Sequence, residues 1–235
     1  MTNQNQYLPY ITDSKLEAAV SNVLSAFRKA QGTTDIHKNI IDPFSALFEV
    51  SLSSISYDKW IEKEKIRQAQ KSLQNSIGYF HQEILGNLNG WQNLGVGQTI
   101  DICNPNKRII AEIKNKYNTT KGSDKVRIYD TLLDSLSRPK YHQFTAYYVE
   151  IIPSSKKHYN DCFTPSDNKT KQPRPRNEKI RKISGQDFYD LATDCEQSLK
   201  MLFDVLPQVI SHLTSSTELS SSEKFAFQDL FNKAF

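Results

Sequence analysis

Cysteine is scarce, glycine is sparse and no long apolar run occurs, and each shortage excludes a class of protein. The 235 residues include three cysteines, Cys103, Cys162 and Cys195. Three scattered thiols without paired spacing argue against a disulfide framework and against a zinc site. The five histidines are equally scattered and none is assigned chemistry. No stretch approaches the ~18 apolar residues of a membrane helix. The opening run, Met1 to Asn5, lacks the basic and apolar regions of a signal peptide, so the expectation is a soluble, cytoplasmic protein. Internal repeats and low-complexity tracts are absent as well.

What is present suits a globular fold. Hydrophobic residues at 37% and charged residues at 24% make the chain polar but well short of disorder. The length favours one domain, 1–235, with an elaborated periphery. The net charge of +4 is unevenly spread. Residues 1–100 carry nine basic and nine acidic side chains, 101–153 nine and six, 154–182 nine and three, and 183–235 three and eight. The middle of the chain is therefore basic, at +3 and then +6. A basic segment in a near-neutral protein is the footprint of a polyanion partner, although a solvated loop would look the same.

The first third, to about residue 90, reads as helical. Leu16, Ala19, Val20, Val23, Leu24 and Phe27 recur at helical spacing after the cap-forming Thr12, Asp13 and Ser14. Asp42 and Pro43 open a second helix, and a longer one, or a pair, runs from about Tyr57 to Leu85. The period then changes to two. Thr99 to Cys103 and Arg108 to Lys114 read as the strands of a hairpin turning at Asn104 to Lys107. A helix over about 123–137 and a strand over 143–152 follow. Residues 154–182, with Pro165, Pro173 and Pro175, read as a long irregular loop. Ser184 opens a helix that runs to Pro207, and a last helix covers about 222–233. The fold class is α/β: a mixed central sheet flanked by helices, with N- and C-terminal helical additions.

The hairpin carries the chemistry. Alternation puts Glu112 and Lys114 on one face of the second strand and Ile109, Ala111 and Ile113 on the other. The turn returns Asp101 beside them. Two carboxylates so placed repel unless a cation joins them, and oxygen ligands select a hard cation such as Mg2+. A lysine beside that site can orient water or stabilise charge developing on a phosphate. This is apparatus for phosphodiester hydrolysis, and an exposed salt-bridged hairpin is the bland alternative.

The order Asp101, Glu112, Lys114 resembles the PD-(D/E)XK nuclease superfamily, which holds most type II restriction endonucleases. Ile100 stands where the superfamily name has a proline. The run Gly78 to Gly86, then Gly90 and Trp91, then Thr99 to Asp101, then Ile110 to Gly122 with its Glu-Ile-Lys-Asn-Lys-Tyr-Asn-Thr core, resembles one restriction family more closely. That family cuts sites of the GGNCC or GGWCC type. The resemblance covers about 75–150 well and 185–206 weakly. It implies a PD-(D/E)XK core at 75–152, Mg2+-dependent cleavage of double-stranded DNA leaving 5′-phosphates, and a cognate DNA methyltransferase as genetic partner. It implies Asp101, Glu112 and Lys114 as the catalytic set. It also implies Asp101 and Glu112 as metal ligands, with Glu83 on the preceding helix as a candidate third.

Asn115, Lys116, Asn118 and Thr119 follow the strand and are suited to gripping a phosphate or a base edge. In the basic stretch, Arg174 and Arg176 are candidates for reading guanine, and Lys179 for holding phosphate. A two-fold site is read most economically by a two-fold protein, so a homodimer is expected. A structure-specific or repair nuclease on the same fold, and a DNA-binding protein without catalysis, are the rival functions.

Overall fold

The computed structural model describes residues 6–33, 35–95, 97, 99–167 and 170–235; the opening run and Lys169 lie outside the described residues. Its elements are α1 (Asp13–Gln31), a 3-10 turn (Ile36–Lys38), α2 (Pro43–Ser53), α3 (Tyr57–Gly86), β1 (Gln92–Asn93), β2 (Ile102–Asn104), β3 (Ile109–Lys116), α4 (Gly122–Ser137), β4 (Thr145–Ile152), β5 (Asn160–Cys162), β6 (Ile180–Ser184), α5 (Gly185–Thr193), α6 (Ser198–Thr214) and α7 (Ser221–Ala234). They fall into two compact units, one of His81–Phe235 with the described residues up to Ala19, the other of Val20–Phe80.

The larger unit is built on a six-stranded mixed sheet in the order β1-β2-β3-β4-β6-β5. The long central strands β3 and β4 are parallel, and β6 is parallel to β4; β1, β2 and β5 add antiparallel edges. Parallel neighbours need a crossover, and α4 supplies it between β3 and β4. Its apolar stripe, Ile128, Tyr129, Leu132 and Leu136, packs on Ile110, Ala146, Tyr148 and Ile180. The opposite face meets α5, where Phe188 packs against Tyr147 and Trp91 at ring separations of 5.7 Å each. A β-carbon on Gly185 would sit 2.2 Å from the Ile151 carbonyl oxygen, so only glycine lets α5 start against β4.

The hairpin forms as its sequence dictates. Asn104 Oδ1 accepts from Lys107 N–H at 2.9 Å, and Arg108 turns the chain in the left-handed region at φ 53°. Lys107 Nζ then bonds the Leu191 carbonyl and Asp194, tying the turn to the end of α5. The first strand is shorter than its alternation predicts: β2 begins at Ile102, although Asp101 N–H still donates to the Ala111 carbonyl at 3.1 Å.

Two expectations need correction. The stretch 154–182 is not wholly irregular. It holds β5 and the start of β6, and a tight excursion between them closes at a Ser166–Pro173 bridge. Tyr129 of α4 donates to the Pro175 carbonyl at 2.6 Å, pinning this excursion. The helix from Ser184 does not run unbroken to Pro207. Ser184 caps α5, but Asp194 and Gln197 take left-handed conformations and split it from α6. Asp190 Oδ1 accepts from both Ser198 N–H and its hydroxyl at 3.0 Å, which starts α6. Pro207 lies inside α6, because the buried stripe Leu199, Leu202 and Val209 continues past it.

The smaller unit is helical. Asp42 caps α2 by accepting from Phe44 and Ser45 N–H, with Pro43 in the first turn. Glu49 of α2 bonds Trp60 and Lys63 of α3 at 3.1 and 2.8 Å. Within α3, the buried Glu64 takes a two-pronged bond from Arg67.

Candidate active site

Asp101 and Glu112 lie opposite each other where the hairpin strands meet, and Lys114 follows Glu112 on the same face of β3. Each is fixed by the chain. Asp101 Oδ2 accepts the Ile113 backbone N–H at 2.7 Å, a bond formed across the hairpin. Glu112 Oε1 accepts from Lys114 Nζ at 2.6 Å. Glu112 also borders a cavity of about 250 Å³ under α4, lined by Thr99, Arg127 and Thr131.

The electrostatics are those of an uncompensated pair. Burial holds the Asp101 carboxyl above its ordinary range, against the opposing pull of the Ile113 N–H and Lys114. Burial also raises Glu112, the charge on Asp101 raises it further, and Lys114 and Arg127 only partly offset this. Two buried carboxylates, each disfavoured as an anion, fit a hard dication that takes one or two carboxylates and completes its shell with water. Among the described residues no group of three or more His, Cys, Asp or Glu side chains forms. From α3, Gln82 Nε2 lies 3.0 Å from Asn93 Oδ1 and 3.5 Å from the Asp101 carbonyl.

The flanking candidates separate. Asn115 lies within β3, on the face opposite Glu112 and Lys114, and its Oδ1 is buried without a hydrogen-bond partner. Lys116 ends the strand on the carboxylate face; Asn118 and Thr119 are exposed in the turn, with Thr119 bonded back to the Lys116 carbonyl at 2.7 Å. Arg174 grips Asp130 of α4 with both prongs, at 2.9 and 2.6 Å. Arg176 pairs with Glu178 at 2.8 Å, and Lys179 reaches the His142 carbonyl at 3.3 Å.

Sequence reasoning passed over a second charged centre. Glu150 of β4 is fully buried and sits in register beside Lys114. It accepts from Tyr159 at 2.6 Å and from Lys125 and Lys182 at 2.9 Å each. Burial alone would raise its pKa, but these three donors outweigh burial and hold it below the ordinary range. The available signal was one acid within an otherwise apolar buried strand.

The geometry agrees with a family assignment that covers most of the chain. The model of the Eco47II restriction endonuclease family matches residues 8–215. The chain belongs to that family. Type II restriction enzyme Eco47II of Escherichia coli is 39% identical over 233 residues, covering 97% of each chain. Type II restriction enzyme Sau96I of Staphylococcus aureus is 28% identical over 239 residues, covering 98% of this chain and 90% of its own. Family membership carries the class of activity, since type II restriction enzymes are site-specific deoxyribonucleases.

Proposed function

We propose that this chain cuts double-stranded DNA at a GGNCC- or GGWCC-type site, with Mg2+ as cofactor, and acts as a homodimer in the cytoplasm. Protection of the host DNA then falls to a cognate methyltransferase. The observation that carries the chemistry is the convergence of Asp101, Glu112 and Lys114 on one face of the hairpin. Asp101 and Glu112 would hold Mg2+, which when bound polarises the scissile phosphate and makes the attacking water more acidic. The Ile113 N–H fixes the Asp101 carboxylate, so that oxygen needs no reorganisation during the reaction. Lys114, oriented by Glu112, places a positive charge where the phosphorane becomes more anionic. The attacking water gives up a proton to solvent as its oxygen bonds to phosphorus and the bond to the 3′-oxygen breaks. The 3′-oxygen takes a proton from solvent, leaving a 5′-phosphate.

The dimer reading rests on α2. Phe44, Leu47, Phe48 and Leu52 form one helical stripe exposed at 73, 65, 65 and 81%, and α2 has no buried residue. With the neighbouring Ile40 they leave on the order of 100 Å² each in water, or roughly 1,000 Å² in a symmetric pair, the size at which specific interfaces begin. The stripe carries no charge, which suits packing against its own copy. Incubating plasmid DNA with Mg2+ tests the activity: fragments of fixed length are expected, and positions that vary from molecule to molecule would refute site-specific cutting.

A further inference from the structure

Glu150, Lys125 and Lys182 form a cluster for which the hydrolytic step has no use. The carboxylate is fully buried, while the lysine side chains keep 23 and 30% of their surface. A lysine ammonium has three donors. One from each is spent on Glu150, and the partial exposure of both side chains leaves the others open to a further acceptor. Both ammonium groups are also held over aromatic rings, Lys125 at 5.7 Å from the centre of Tyr148 and Lys182 at 4.8 Å from Tyr159. They stand in fixed positions on long side chains that are ordinarily mobile.

The cluster is net +1 and adjoins the cleavage centre. Glu150 is the register partner of Lys114, and β6, which carries Lys182, is the next strand over. Neighbouring strands are about 4.8 Å apart, so Lys182 stands two strand spacings from β3, and Lys125 reaches the same carboxylate from α4. Phosphates flanking a scissile one rise by about 3.4 Å per step along a DNA strand. A backbone laid across the face to reach Asp101 and Glu112 brings a neighbouring phosphate over Lys125 and Lys182. We propose that Lys125 and Lys182, positioned by Glu150, form a preorganised clamp for a DNA backbone phosphate beside the scissile one. Burying an ion pair is a poor way to gain stability, and a buried acid that fixes two partly exposed cations is a good way to prepare an anion site. The clamp rests on the DNA-cutting reading, but its test does not depend on cutting.

The experiment measures affinity for a duplex holding the GGWCC site and for a scrambled duplex, at several salt concentrations, with Ca2+ in place of Mg2+. For Lys125→Gln and Lys182→Gln, the slope of log affinity against log salt should shrink by about 0.9 each. Affinity should fall by a similar factor on both duplexes. Lys182→Arg should restore the slope, because it restores the charge. Each single variant leaves Glu150 two of its three donors. The pair Glu150→Gln with Lys182→Gln removes acid and cation together, so no buried charge is stranded, and it should show the same reduced slope. Unchanged slopes in folded variants would overturn the clamp. Wild-type protein that bound DNA with these slopes but did not cut it with Mg2+ would overturn the nuclease reading and leave the clamp standing.

Discussion

Lys114 Nζ lies 2.6 Å from Glu112 Oε1, two positions along one strand, while the Ile113 N–H between them is bonded to Asp101. Three consecutive residues of β3 thus hold the whole centre through alternating side chain and backbone. Asp101→Ala or Glu112→Ala should lower cleavage by at least about 10³-fold, equivalent to about 4 kcal/mol of transition-state stabilisation. Lys114→Ala should lose cutting but retain metal binding. Glu83→Ala should resemble the first two only if Glu83 reaches the metal. Single-turnover cleavage and metal titration, with circular dichroism to confirm folding, decide between them. Near-normal cutting by folded Glu112→Ala protein would end the assignment.

The hairpin was legible because its information is local. Alternation from Ile109 to Lys114 fixes which side chains share a face, and Asn104 sits where a turn needs an acceptor. The strands β5 and β6 were not legible. Asn160, Asp161 and Cys162 form a three-residue edge with no apolar signature, and Ile180 and Ile183, three positions apart, do not alternate with period two and lie in a run dominated by positive charge. The break between α5 and α6 depends on Asp190 capping a helix eight residues away. Glu150 stood in plain view in the strongest strand, but Lys125 lies 25 residues away in sequence and meets it only through the crossover.

Metal and DNA binding should separate. With Ca2+ in place of Mg2+, the protein should bind its duplex and cut negligibly, since Ca2+ prefers a larger, looser oxygen shell. EDTA should likewise stop cleavage. Mobility-shift and cleavage assays on one labelled duplex suffice, and rapid cutting in EDTA would point to a mechanism without metal.

Arg174 and Arg176 should behave differently. The guanidinium of Arg174 is already committed to Asp130, whereas Arg176 is three-quarters exposed and pairs with a neighbouring Glu178. If Arg176 reads guanine, Arg176→Ala should weaken the target roughly 5- to 150-fold and scrambled DNA much less. Lys179→Ala should weaken both alike and reduce the salt slope by about one unit. Arg174→Ala should chiefly loosen the excursion pinned to α4. Equal losses on both duplexes for Arg176→Ala would make it a phosphate contact.

The α2 stripe predicts oligomeric state. Phe48→Glu or Leu52→Glu places a charge in the centre of the proposed two-fold contact, where no opposite charge awaits it. The expected outcome is a monomer by sedimentation, with unchanged helical content because neither side chain is buried. Affinity for the full site should fall much more than affinity for a half-site. A wild-type chain that sediments as a monomer at micromolar concentration and with its target bound would remove α2 from the interface.

His81 predicts acid sensitivity. Its Nδ1 lies 2.8 Å from the Tyr189 hydroxyl, and burial lowers its pKa to about 4. An unfolded histidine titrates near 6.5. Between these values the unfolded chain binds a proton that the native chain refuses. The contribution of His81 to stability is therefore full above about pH 6.5, declines as pH falls through this window, and is gone below about 4, at up to ~1.4 kcal/mol per pH unit. His81→Gln removes the titration but keeps a polar partner within reach of Tyr189. Urea midpoints measured at intervals from pH 7.5 to 4.5 should fall more steeply for the wild type than for His81→Gln, so the two curves converge toward acid. Parallel curves would mean that His81 takes up its proton in the folded state as readily as in the unfolded one.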